Sequence, residues 1–469
     1  TGTNAFIEQE VTYGTLSGDL FDLPAGTVKA ALGFEARVEQ GQYNSSAIQD
    51  LGLTRSAARP SLGGGYEVDA DYYEVSVPLM GGDVTLPFIA SLVVDYSSRT
   101  IDNSIAGSYD VDATSLNWRV MDDLAIRVSE QTAVKAPDLG DLFLPQITTF
   151  STAADPCDYR YRDVGRNPEQ RRANCDAEGI PADFISNVVN ATAQGVTGGN
   201  PNLINEVADT KSTGLVYQPS WWGDVLFGAA SFAVDYIEIE LTDYVTSYSL
   251  TQNMNACYDY DTYPNSQFCD SFSRDAEFQV DDFATGLINA GLIDFATYVW
   301  KADWAFDVSE LASFVSRENV AMDLGSMAIR YRATQEDFFA SADSGAAEDL
   351  RSATGQFGND EWFYDTQFEW AYQDWYVYVQ GNSRSGGVID IDRVYDDEYL
   401  GYDGQPIFEF DGYTSWNGGV GYRVNDGTTL RVNVSNLFDY DGTEDDIFTP
   451  EADLLFYGRS VTASMNVRF

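Results

Sequence analysis

Every second residue of the stretch Val461 to Phe469 is apolar. Val461, Ala463, Met465, Val467 and Phe469 share one parity, and Thr462, Ser464, Asn466 and Arg468 hold the other. Period two marks a β-strand with one greasy face and one wet face. The pattern recurs upstream. Val28, Ala30, Leu32, Phe34, Ala36 and Val38 alternate with residues such as Lys29, Glu35, Arg37 and Glu39 over about ten positions, the length a tilted strand needs to cross a bilayer. Leu86, Phe88, Ala90, Leu92, Val94 and Tyr96 do the same within 84–98, and Leu226, Gly228, Ala230, Phe232, Val234 and Tyr236 alternate with polar or small residues within 225–246. A solitary two-faced strand leaves an open edge, and a closed barrel removes it.

Further strands are predicted at 64–78, 112–120, 122–134, 206–218, 293–308, 318–333, 361–373, 374–384, 412–424 and 427–437. With the extended stretch 3–16 the count reaches about 15. Met80 to Asp83, Met121 to Asp123, Gln373-Asp374 and Asn425 to Gly427 read as tight corners. Two irregular stretches, 135–205 and 247–292, are far longer than ordinary connections, the second with a short helix expected at Asp281 to Ala290. Tight corners at one end and long loops at the other fit an all-β transmembrane antiparallel barrel. Trp362, Tyr364, Trp370, Tyr372, Trp375, Tyr376 and Tyr378 cluster near predicted strand ends, where an aromatic girdle would sit. No apolar run reaches the ~18 residues of a membrane helix.

Charge narrows the partners. Lys and Arg number 26 against 74 Asp and Glu, a net charge of −48, which excludes nucleic acid because phosphate binding needs a basic footprint. Histidine is absent, so Ser-His and Cys-His catalysis and His-ligated zinc or haem are excluded. No catalytic residues are expected. The four cysteines lie as local pairs, Cys157 with Cys175 and Cys257 with Cys269, in polar loop-like stretches, and read as two loop-stapling disulfides of an oxidising compartment.

Three stretches carry a family resemblance. VSNLFDYDG (434–442, with Asn436, Leu437 and Phe438) followed by a last strand ending in Phe469 resembles the end of a TonB-dependent outer-membrane receptor. VKAPDLGDLF (134–143, with Lys135, Ala136 and Pro137) is similar to that family's FRAP-type box, with Val134-Lys135 in place of Phe-Arg. GGNPNLINE (198–206, with Asn200, Pro201, Asn202 and Leu203) is similar to its NPNL box. The resemblance implies the C-terminal part, over 1–469, of a barrel of about 22 strands with a plugged lumen, the plug being absent from this chain. It implies active uptake across the outer membrane of a Gram-negative bacterium, coupled to the TonB complex through a plug. The implied surroundings are outer-membrane lipid, lipopolysaccharide and the barrel assembly machinery, which reads the terminal aromatic. The last strand is then expected to turn Val461, Ala463, Met465, Val467 and Phe469 to lipid, with its natural partner strand lying outside this chain.

Substrate candidates come from the loops. Arg160, Arg162, Arg166, Arg171 and Arg172 crowd one segment, offering forked contacts to an anion or internal pairing with Asp158, Asp163, Glu169 and Asp176. Tyr159, Tyr161, Tyr258, Tyr260, Tyr263, Tyr395, Tyr399 and Tyr402 offer flat faces for sugar rings or a catecholate chelate. An oligosaccharide is favoured and a ferric siderophore comes next; haem-uptake members of the family place a histidine between the two boxes, and none stands there. Asp390, Asp392 and Asp396 are the leading candidates for loop-bound calcium, with Asp259 and Asp261 second and no other cofactor expected. The alternatives are a passive porin of about 14–16 strands and a secreted acidic carbohydrate-binding protein.

Overall fold

The computed structural model describes residues 2–55, 57–318, 320–342, 350–356, 358–388, 409–440 and 458–468. Among the described residues nineteen strands form one sheet, and Gly387–Val388 with Glu409–Phe410 make a separate pair. Four of the nineteen are short additions: Ile147–Ser151, Ala193–Gly198, Phe272–Arg274 and Arg351–Ser352. The other fifteen stand side by side in chain order as an antiparallel wall. They are Thr3–Leu23, Gly26–Ser45, Leu62–Met80, Ser91–Asn103, Gly107–Met121, Leu124–Lys135, Glu206–Tyr217 and Ala229–Ser247, then Val280–Asp307, Ser326–Ala342, Trp362–Tyr372, Trp375–Arg384, Tyr413–Asn425, Thr428–Ser435 and Ser460–Val467.

Register sorts the side chains. Leu430 faces Met465 and Tyr422, Trp375 faces Tyr422, and Val377 faces Trp370, so an apolar parity runs unbroken across neighbouring strands. It continues through Met327–Phe306, Ile329–Trp304, Ala230–Trp304, Leu215–Ile126, Leu92–Trp118 and Leu16–Leu32. Many of these side chains are exposed, among them Leu16, Leu32, Leu215, Val420, Leu430 and Met465. A continuous apolar band of this extent is a surface for lipid, not water. The opposite parity carries Asp19, Lys29, Glu74, Asp95, Arg127, Asp235, Asp303, Arg330, Arg332, Glu369 and Arg431.

Connections alternate as expected, with corners at Pro24–Ala25, Asp122–Asp123, Gln373–Asp374 and Asp426–Gly427 on one side and the long loops on the other. Three expectations are corrected. Asp281 to Ala290 is not a helix but the start of the strand Val280–Asp307, because its backbone pairs with Ala193–Gly198 and Phe272–Arg274 outside the wall; the second long loop therefore ends at 279. The strand expected from 84 begins at Ser91, since 81–90 is a turn held by the bridges Gly81–Val84 and Leu86–Ile89, with Phe88 at φ 66°. The strand expected at 318–333 runs from Ser326 to Ala342 and is preceded by a helix, Val308–Ser316. Among the described residues the first strand pairs only with the second and the last only with Thr428–Ser435. Nearly every side chain of both end strands is exposed.

Candidate functional site

Loops 136–205 and 248–279 fold together into a cap at the long-loop end. Local sequence starts its two longest helices. Asn167 caps Pro168–Glu178, which has Pro at its first position and ends on left-handed Gly179. Ser249 and Gln252 form a capping box for Leu250–Tyr258. The disulfides Cys157–Cys175 and Cys257–Cys269 both form. Around them Ile180, Phe184, Tyr248, Ala256, Tyr258 and Phe268 make a core that meets the wall at Ile288 and Ala290, with Ala153, Val188, Leu250, Met254 and Phe283 beside it.

Ion pairs lace that core. Arg274 donates to both oxygens of Asp155 at 2.8 Å, and both side chains are buried. Arg171 donates to Asp259 at 2.5 and 2.6 Å, again fully buried. Arg162 pairs with Asp176, Arg172 with Asp163 at 2.7 Å, and Arg166 donates to the Tyr260 hydroxyl at 3.0 Å. Arg160 grips Asp158 through Nε and Nη2 at 2.7 and 2.9 Å. Burial alone would raise the Asp158 carboxyl, but Arg160 and the backbone N–H groups of Arg160 and Ser186 outweigh it and hold the group below the usual carboxylate range. Tyr258 donates to Glu178; burial first, then that carboxylate, pushes the Tyr258 phenol up against the opposing Arg274 charge. Burial and Glu178 push Tyr263 up to about 12.

The cap is seated on the wall by the two motif boxes. Lys135 ends its strand paired with the buried Glu206 at 2.8 Å, and Asp138 with Asp141 boxes the helix Leu139–Phe143. Asn200 donates its backbone N–H to Asp141 and its side-chain N–H to the Leu287 carbonyl. Leu203 packs with Leu139, Leu142, Tyr66 and Val68. Gly64 makes room for this seat: a Cβ there would meet the Phe143 ring at 2.5 Å. At the other motif, Asn436 takes φ 52° and exchanges hydrogen bonds with Tyr440, Leu437 donates to the Trp416 carbonyl, and Phe438 meets Trp416 edge-on.

The sequence of residues 1–437 matches the family model described as TonB dependent receptor-like, beta-barrel. The chain belongs to the TonB-dependent receptor family. Its wall is an outer-membrane barrel wall, and the members of this family are transporters, not enzymes. Solved structures share the fold. A double mutant of the ferric enterobactin receptor PfeA from Pseudomonas aeruginosa aligns at TM-score 0.59 and 12% identity, over 99% of this chain and 54% of that one. The siderophore receptor PirA from Acinetobacter baumannii aligns at 0.58 and 14%, over 99% and 55%. A double mutant of the Serratia marcescens hemophore receptor HasR, in complex with its hemophore HasA and heme, aligns at 0.54 and 10%, over 100% and 60%. No curated protein matches in sequence. The chain spans little more than half the length of PfeA and PirA.

Within this TonB-dependent receptor chain, the candidate substrate residues separate. Tyr159 stands 54% exposed, with the Arg160 guanidinium over its ring at 5.6 Å and over Tyr161 at 5.9 Å. Tyr260 is half-buried, whereas Arg162 and Tyr258 lie in the cap interior, away from any face a substrate could reach. Tyr395, Tyr399, Asp390, Asp392, Asp396 and Phe469 lie outside the described residues, as does Tyr402. Among the described residues no group of three or more acidic or cysteine side chains is arranged to hold a metal ion.

Sequence reasoning missed the inner-wall ion pairs. Arg127 donates to Asp235 at 2.7–2.9 Å across an intervening strand, and Lys301 stands 3.9 Å from the same carboxylate. The bridged position is Gly214, which faces both residues. A Cβ there would meet Asp235 Oδ1 at 2.0 Å and Arg127 Nε at 2.8 Å. Arg332–Asp303 and Arg330–Glu369 extend the array at 2.7 and 2.6 Å. A glycine inside an alternating strand was the available signal.

Proposed function

We propose that this chain is the C-terminal barrel portion of a receptor that imports a nutrient across the outer membrane with energy delivered through TonB. The family match over 1–437 carries this reading. The cap belongs on the extracellular side, as the outer gateway that first meets substrate. As substrate class we place a ferric siderophore ahead of an oligosaccharide. PfeA and PirA, which share the fold, are siderophore receptors. The stack of Tyr159, Arg160 and Tyr161 is an aromatic and cationic edge suited to a planar chelating ring.

The test is uptake of radio-iron siderophores by cells carrying the whole receptor, with and without TonB. Import that stops without TonB is expected. Import that persists without it would overturn the energised mechanism, and transport of an oligosaccharide with no iron import would overturn the substrate class. Tyr159→Ala is expected to weaken binding by up to about tenfold, since one aromatic contact contributes about 0.5–1.5 kcal/mol.

A further inference from the structure

At the corner end of the wall, the turns 218–228 and 308–325 depart from the tight pattern and carry helices, Trp222–Val225 and Val308–Ser316. They are neighbours, because the strands they abut pair directly, Ala229 opposite Ala305. Around the second helix Val308, Leu311, Ala312, Phe314 and Val315 share one arc, while Ser309, Glu310, Ser313 and Ser316 share the other. The apolar arc is only partly used. Phe314 packs on Phe227 at 5.4 Å, and Phe227 packs on Trp304 and Phe306, both on the lipid-facing parity of the wall. Yet Phe314 remains 51% exposed, Val315 72%, and Val225 on the other helix 62%.

The rim fixes the height of this patch. Trp118, Trp304 and Trp370, all of lipid-facing parity, donate their indole N–H groups to the turn carbonyls of Phe88, Phe227 and Leu324 at 2.9, 3.0 and 2.9 Å. Tryptophans with a satisfied polar edge and a greasy ring mark the membrane–water boundary. Val308–Ser316 begins one residue after the strand bearing Trp304 ends, so its exposed apolar arc continues the lipid-facing band. Its flanks are acidic, with Asp307, Glu310, Glu318 and Asp323 against Arg317, which disfavours an anionic surface.

We propose that these two helices form a foot that lies in the headgroup zone of the periplasmic leaflet and docks on zwitterionic phospholipid. The foot belongs to the turns flanking the hairpin Ala229–Ser247/Val280–Asp307, whose opposite end holds loop 248–279 of the cap. It thus anchors in lipid the part of the wall that bears the cap.

All four cysteines of this chain are disulfide-bonded, so a cysteine introduced here takes a fluorescent label that the unsubstituted receptor, treated in parallel, does not. The experiment labels Val315→Cys, Val225→Cys and, in the tight corner, Asp426→Cys with bimane in the whole receptor, reconstituted into phosphatidylcholine vesicles. Heat-modifiable migration in SDS checks that each variant is folded. Labels at 315 and 225 are expected to shift to the blue, to be quenched by nitroxide-labelled phosphatidylcholine and to be shielded from iodide, while the label at 426 shows the reverse. Iodide quenching at 315 and 225 equal to that at 426 overturns the proposal. Shielding in native outer membranes but not in vesicles also overturns it, in favour of a protein partner.

Discussion

Asp155→Leu tests whether the cap is held by its buried charges. Arg274 is 4% exposed and gives two hydrogen bonds to Asp155, with others to the Tyr258 hydroxyl and the Phe278 carbonyl. Asp155 also accepts the Cys157 backbone N–H at 3.0 Å. Removing one partner of a buried pair costs about 3–5 kcal/mol, because the other charge is left uncompensated out of water. Glu178, 3.8 Å from Arg274 Nε, keeps a second carboxylate nearby and places the cost at the low end, about 3 kcal/mol. That corresponds to roughly a 150-fold rise in the opened cap population. Hydrogen exchange read by mass spectrometry over 152–163 and 270–279 should report it, with exchange in wall peptides unchanged. Asp155→Leu combined with Arg274→Met should recover most of the loss, since an apolar pair fills the same site without a stranded charge. A rise below about fivefold in the single variant, equivalent to under ~1 kcal/mol, would refute the reasoning.

Gly214→Ala should displace the Arg127–Asp235 pair, costing about 1–3 kcal/mol as an overpacking change. The SDS melting temperature of the folded band should fall, while Gly18→Ala, with nothing within 4 Å of its Cβ, should leave it unchanged. Burial first, and then the Glu178 carboxylate, push the Tyr263 phenol from its ordinary 10.0 up to about 12, so the folded cap holds that proton more tightly than the unfolded chain. Its contribution is therefore complete below pH ~10 and is lost as pH rises toward ~12. Phenolate absorbance should show this tyrosine titrating late, and alkaline opening of the cap should accompany it.

The wall was legible because most of its strands face lipid on one side and carry polar side chains on the other, so alternation survives in the sequence; even the count near fifteen follows from it. Alternation fails where a strand leaves that environment. Asp281 to Ala290 shows no clean period two because as far as Gly286 its partners belong to the cap, one of them bound in parallel from about 90 residues away, and only from Leu287 does it join the wall. Leu86 and Phe88 show the opposite failure: the pattern is present, but Gly81, Gly82 and Pro87 fold the segment into a turn. In the cap, Arg160 with Asp158 and Arg172 with Asp163 were readable as near neighbours. Arg171 with Asp259 was not, since 88 residues separate them and only the packing of two loops brings them together.

The strand Val280–Asp307 has a consequence for how such a receptor can change. Its 28 residues run without interruption from the cap through the wall, pairing with Ala193–Gly198 at one end and with Ser326–Ala342 at the other. An ordinary loop absorbs an inserted or deleted residue at little cost, but a strand does not, because each single step exchanges its two faces. Near residues 287–292, a one-residue deletion would turn either the cap contacts of Phe283 or the lipid-facing Trp300 and Trp304 the wrong way. The cap is therefore no interchangeable cassette: moved to another barrel, it must carry the first part of this strand with it, in steps of two.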